Sequence, residues 1–202
     1  GDTTIDPSGT LNLNTDGTSG GVFNANSDVN VVGGTINSVE EAFGNDNSLN
    51  LAAGRTLTAS ANAQLVFSGD YDVVDATTFN ITDGADWSLT RDLDIGNATT
   101  GTVVLDGPGT TLTSGAGVAS VGFFNGGVGE LTLRNDATAT FGAFFQVGAD
   151  GGSGTVAVEA GADLTLSFLN VALQPNSTGT ITVTGPGSTI TQNGSVTINI
   201  GN

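Results

Sequence analysis

The stretch Ile95-Gly-Asn-Ala-Thr-Thr-Gly101-Thr-Val-Val-Leu-Asp-Gly107-Pro-Gly-Thr-Thr-Leu-Thr113 decides the fold. It contains an alternating strand, a turn built on two glycines and a proline, and the start of a second alternating strand. The same parts return in the same order elsewhere. Gly179-Thr-Ile-Thr-Val183 followed by Gly185-Pro-Gly-Ser-Thr-Ile-Thr191 is the nearest copy. Gly129-Glu-Leu-Thr-Leu133 and Gly154-Thr-Val-Ala-Val158 are two more strands of the first kind. The four glycine anchors at 101, 129, 154 and 179 lie 28, 25 and 25 residues apart. Each strand has a short lead-in: Leu93-Asp-Ile-Gly-Asn97, Ser120-Val-Gly-Phe-Phe124, Gln146-Val-Gly-Ala-Asp150 and Asn170-Val-Ala-Leu-Gln174. Upstream, Thr78-Phe-Asn-Ile-Thr82 with Asp83-Gly-Ala-Asp-Trp-Ser-Leu-Thr90 is a further copy. Leu49-Asn-Leu51 with Gly54-Arg-Thr-Leu-Thr58 is a partial one.

Alternation of this kind sends apolar side chains to one side of a strand and polar ones to the other. A repeat of about 25 residues is too short to bury its own apolar side, so successive repeats must stack into a common core. In such a stack Leu93/Ile95, Val121, Val147, Val171 and Ile198/Ile200 form one inward ladder. Val103/Leu105, Leu131/Leu133, Val156/Val158 and Ile181/Val183 form a second. A β-sandwich also has many short strands, but it predicts no register between repeats. The expected fold is therefore all-β, a parallel β-helix (β-solenoid) of roughly eight coils. At about 4.8 Å per coil the rod is about 40 Å long. Residues 1–202 form one domain, with irregular coils over 1–77 and regular repeats over 78–202. One short helix is expected near 39–43, because Ser38 and Glu41 make a capping-box pair and Gly44 a stop.

The string over 95–113, and again Gly179–Thr191, resembles the repeat of bacterial autotransporter passengers and of surface proteins that carry a PEP-type sorting signal. The resemblance covers about residues 78–202. It implies a right-handed β-helix that is secreted, either to the bacterial cell surface or into the extracellular matrix. It supplies no common catalytic residues.

Composition narrows the function. The chain has 20 acidic residues, and its only basic ones are Arg55, Arg91 and Arg134, for a formal charge of −17. Three cations cannot neutralise a run of phosphates or hold an anionic bilayer, so nucleic acid and membrane insertion are excluded as partners. Cys, His, Met and Lys are absent. Hydrophobic residues make up 37% of the chain, and their alternate spacing separates it from disordered acidic sequences.

Few residues point to chemistry. Asn14-Thr15-Asp16-Gly17 resembles a motif of β-helical polygalacturonases, but the His, Lys and Asp-Asp partners are missing, and a turn explains it. Asp70, Asp72, Asp75, Asp92 and Asp94 are the candidate calcium ligands, since adjacent coils could pool their oxygens. No other cofactor is expected. Tyr71, Trp87, Phe123/Phe124 and Phe144/Phe145 read mainly as core filling. Adjacent Phe residues on a strand cannot both point inward, however, which leaves room for a glycan-binding platform.

The two ends complete the reading. Val196-Thr-Ile198-Asn-Ile200 is strand-like, and Gly9-Thr10-Leu11-Asn12-Leu13 resembles the part of the repeat that follows it. These residues are expected to join subunits head to tail. The leading expectation is a non-catalytic extracellular structural protein that assembles into a filament. An adhesive, glycan-binding passenger domain comes second and a polysaccharide-degrading enzyme third.

Overall fold

A computed structural model describes residues 1–13, 23–39, 49–193 and 198–200. It is a three-sided parallel β-solenoid. The first coil holds β1 (Thr3–Ile5), β2 (Thr10–Leu13) and β3 (Phe23–Ala25). The second holds β4 (Val29–Val32), β5 (Thr35–Val39) and β6 (Leu49–Leu51). Next come β7 (Thr56–Ser60), β8 (Gln64–Ser68) and β9 (Tyr71–Val73), then β10 (Thr77–Thr82), β11 (Asp86–Leu89) and β12 (Leu93–Asn97). The fifth coil has β13 (Thr100–Asp106), β14 (Thr111–Ser114) and β15 (Ala119–Phe123). In the sixth and seventh, β16 (Val128–Arg134) and β18 (Ser153–Glu159) are each followed by a long strand that turns a corner, β17 (Thr138–Ala149) and β19 (Asp163–Val171). The last coil is β20 (Thr178–Thr184), β21 (Thr189–Gln192) and β22 (Ile198–Ile200).

Every pairing is parallel and joins equivalent strands of neighbouring coils. The first face stacks β1-β4-β7-β10-β13-β16-β18-β20, eight rungs with seven turns of the solenoid between first and last. The second face runs from β2 through β5, β8, β11 and β14 into the first halves of β17 and β19, then β21. The third face carries β9, β12, β15, the second halves of β17 and β19, and β22, with β3 and β6 as a separate pair. The expected ladders are present: Ile95 pairs with Val121, Val121 with Val147, Val147 with Val171 and Val171 with Ile200. On the first face Val103, Leu131, Val156 and Ile181 follow one another. That face crosses residue 78 without a break, since β7 pairs with β10.

The corners explain the glycine pattern. Gly101, Gly129, Gly154 and Gly179 lie in one register column. A Cβ on Gly154 would run into the Val121 carbonyl oxygen, so this corner admits no side chain. Thr77 occupies the equivalent place one coil earlier and turns its hydroxyl onto the Val74 carbonyl, 2.6 Å.

The core is a column of aliphatic side chains interrupted by one aromatic cluster. Phe79 stacks on Trp87, with ring centres 5.0 Å apart, while Tyr71 and Phe67 meet Trp87 edge-on. All four are buried, and the Tyr71 hydroxyl donates to the Leu49 carbonyl at 2.9 Å. Small inward residues sit over large ones in the same column: Ser38 pairs with Phe67, and Ser114 with Phe141. This size alternation fills each layer without overpacking.

The short helix expected near 39–43 is not formed among the described residues. Ser38 and Val39 end β5, where they pair with Phe67 and Ser68. Of the expected helix only Val39 is thus described, and it is paired to the next coil as strand. Residues 40–48 lie outside the described residues, as does the Asn14–Gly17 tetrapeptide.

Candidate functional site

The five carboxylates expected as calcium ligands fall into three structural roles. Asp72 and Asp94 point outward on the third face, paired in register between inward Tyr71/Val73 and Leu93/Ile95. Asp70 and Asp92 cap the preceding corner. Asp70 accepts from the Asp92 backbone N–H at 3.2 Å and pairs with the Arg91 guanidinium at 3.2 Å, while Asp92 accepts from the Val118 N–H at 2.6 Å. Asp75 sits at a turn with φ of 56°, and its N–H donates to Thr99 Oγ1 at 2.8 Å. Asp70 and Asp92 are thus aimed at backbone donors, while Asp72 and Asp94 meet the Asn97 and Ser120 side chains of the next coils. Among the described residues no group of three or more acidic side chains is placed to hold a metal ion.

Burial pushes the Asp94 carboxyl up to about 7, against the lowering effect of its hydrogen bond with Ser120, and the neighbouring Asp72, Asp92 and Asp70 charges add to the rise. Asp72 is raised in the same way, chiefly by burial, with the Asn97 amide opposing. The cause is the form of the third face. Asp72, Asp94, Ser120, Gln146 and Asn170 follow one another in register and alternate with the inward residues of this face. Ser120 is only 2% exposed and lies in register between the larger Asp94 and Gln146 of the neighbouring coils.

Aromatic side chains flank this column in the later coils. Phe144 pairs with Phe168 across two rungs, and their rings stack at 4.9 Å. On the other side Phe123 and Phe124 lie 3.9 Å apart. Phe144 and Phe124 are each 46% exposed, whereas Phe145 is fully buried. The expected division is present for Phe144 and Phe145, but Phe123 is half-buried and Phe124 exposed, so neither of that pair enters the core; the left-handed φ at Gly122 and Phe124 breaks the strand alternation there. Tyr71 and Trp87 belong to the core and cannot reach a ligand. Sequence reasoning missed Ser120, Gln146 and Asn170 as site residues. The signal available was their shared offset one residue before the Val ladder.

Among the described residues, no further rung covers the first or the last rung of the solenoid. At the first rung Ile5, Leu11 and Phe23 line a cavity of about 420 Å³, with Thr3, Gly9 and Thr10 at its rim. At the last rung Ile181 and Ile190 are half-buried and Val183 is 46% exposed, although their in-register partners Val156, Leu164 and Val158 are fully or almost fully buried.

The expected pairing of the two ends needs a change of phase. Thr10, Leu11, Asn12 and Leu13 form a second-face strand that pairs with Thr35–Ser38. Ile198 and Ile200 lie on the third face, paired with Leu169 and Val171. Val196 lies outside the described residues. The two segments occupy different faces, so one does not continue the other. The strand equivalent to Thr100–Asp106 in the first coil is β1, through β4, β7 and β10.

Compared with known proteins, the chain matches no family model, no curated protein and no solved structure.

Proposed function

We propose that this protein is a non-catalytic structural subunit that stacks head to tail into a filament outside the cell. The observation that carries this is the apolar character of the first and last described rungs. Extending the register by one rung sets β1, β2 and β3 of a second copy on β20, β21 and β22 of the first. Ile5 then covers Val183, Leu11 covers Ile190, and the cavity lined by Ile5, Leu11 and Phe23 closes on the exposed last rung. Each face also gains a row of backbone hydrogen bonds on an edge that is otherwise unpaired. The two surfaces are different, so the contact is heterologous and does not close on itself, which gives a fibre. The extracellular location rests on the resemblance of the repeats to those of exported surface proteins.

Electron microscopy of the concentrated protein tests this. The parent chain should form filaments one solenoid wide. Val183→Lys and Leu11→Lys, each placing a charge on one end, should leave short rods. An equimolar mixture of the two variants should form dimers, because each retains one competent end. Single rods from the parent chain at high concentration would overturn the proposal.

A further inference from the structure

We infer that the polar column of the third face and its flanking aromatic rings, over the fifth to seventh coils, bind a neutral polysaccharide laid along the solenoid axis. The chain has only ten Phe, one Trp and one Tyr. Four of the Phe residues stand outside the core on this one stretch: Phe123, Phe124, Phe144 and Phe168. At the same level on the second face the outward column is Thr113, Thr140, Thr165 and Thr191. Thr is the ordinary outward residue of this solenoid, and leaving a Phe exposed forgoes part of the roughly 1.5–3 kcal/mol its burial brings. The aromatic cluster outside the core therefore has a role other than folding.

Its surroundings specify the ligand. Between the aromatic pairs runs the column Ser120–Gln146–Asn170, a hydroxyl followed by two amides in register. Amides both donate and accept, as a sugar's hydroxyl rim requires, and the faces of Phe rings suit the apolar C–H face of a pyranose. This stretch of the column carries no formal charge. The chain as a whole carries −17 and has three arginines, so an anionic polymer is repelled. The elements repeat at about 4.8 Å along the axis, which favours an extended chain over a single compact molecule. Phe144 and Phe168 supply the stacking, Gln146 and Asn170 the hydrogen bonds, and Asp94 with Ser120 closes one end of the row.

Affinity electrophoresis through gels containing a soluble β-glucan, a galactomannan or a xylan tests the site, with polygalacturonate as the anionic comparison. At least one neutral polymer should retard the parent chain and polygalacturonate should not. Phe144→Ala and Gln146→Ala should each weaken retardation at least tenfold with an unchanged circular dichroism spectrum. Phe144→Trp should keep it, and Val66→Ala, on the second face, should have no effect. Failure of all three neutral polymers, equal binding by Phe144→Ala, or preference for polygalacturonate would overturn the inference. So would loss of lateral bundling between filaments in Phe144→Ala without any polymer binding, which would assign the patch to a second copy. Filament formation itself is untouched by Phe144→Ala, so this outcome is separate from that of end-to-end stacking.

Discussion

Gly122 and Ala172 occupy equivalent corners of their coils, and both adopt left-handed φ, 74° and 48°. Only Gly122 has backbone where a Cβ would go, at the Ser153 carbonyl. Gly122→Ala should therefore cost about 2–4 kcal/mol, from overpacking and the left-handed strain together. Ala172→Gly should be neutral to about 1 kcal/mol stabilising, because relief of strain is partly offset by the entropy of the unfolded chain. Urea denaturation of both variants checks the pair. Asp94 gives a second test at this scale. Its folded pKa, about 7, lies above the ordinary aspartate value of 3.8, so the native state holds the proton more tightly between those values. Its contribution is most favourable below about pH 4 and is lost as pH rises through 7. Asp94→Asn should flatten that fall and raise stability at pH 8 by about 1–3 kcal/mol, seen as a higher Tm.

At the scale of the element, a strand here is defined by its partners above and below more than by its own propensity. Ser38 shows this, since a residue that is not a strong strand former sits inside β5 opposite Phe67 of the next coil. The aromatic cluster between β8, β9, β10 and β11 shows the packing side. Trp87→Ala should cost about 3–5 kcal/mol, as a large buried ring leaves a cavity that stiff β layers cannot collapse. Trp87→Phe keeps the stacking on Phe79 and deletes an indole N–H that has no hydrogen-bond partner among the described residues, so its cost should stay near 1 kcal/mol. Phe144→Ala, on the outer surface, should change stability by less than about 0.5 kcal/mol. Thermal melts of the three variants order these predictions.

For the whole molecule, the rod behaves as a one-dimensional stack in which each coil is stabilised by its two neighbours. Val156 and Ile181 occupy one ladder, but Val156 has a rung on both sides and Ile181 is at the open end. Val156→Ala should cost about 2–3 kcal/mol in the single rod, and Ile181→Ala below about 1 kcal/mol. Assembly should reverse the order. Ile181→Ala should raise the critical concentration for filaments, while Val156→Ala should leave it nearly unchanged, as measured by sedimentation. Equal effects of both substitutions in both assays would contradict a stack with exposed terminal rungs.

The repeat register, the inward Val and Leu ladders, the corner glycines and the split of Phe144 from Phe145 were all legible in the sequence. Each depends on a short period, two within a strand and about 25 between coils, and such periods are local properties of the chain. Three things came only from the tertiary structure. Gly9–Leu13 lies on the second face and not the first, because the face a strand joins depends on how many corners precede it. Ser120 is covered although it points outward, because Asp94 and Gln146 come to lie on either side of it only once the coils have stacked. The phase of the two ends is the third. A linear alignment shows that the ends resemble parts of one repeat, but only the winding places β22 on the third face and β1 on the first.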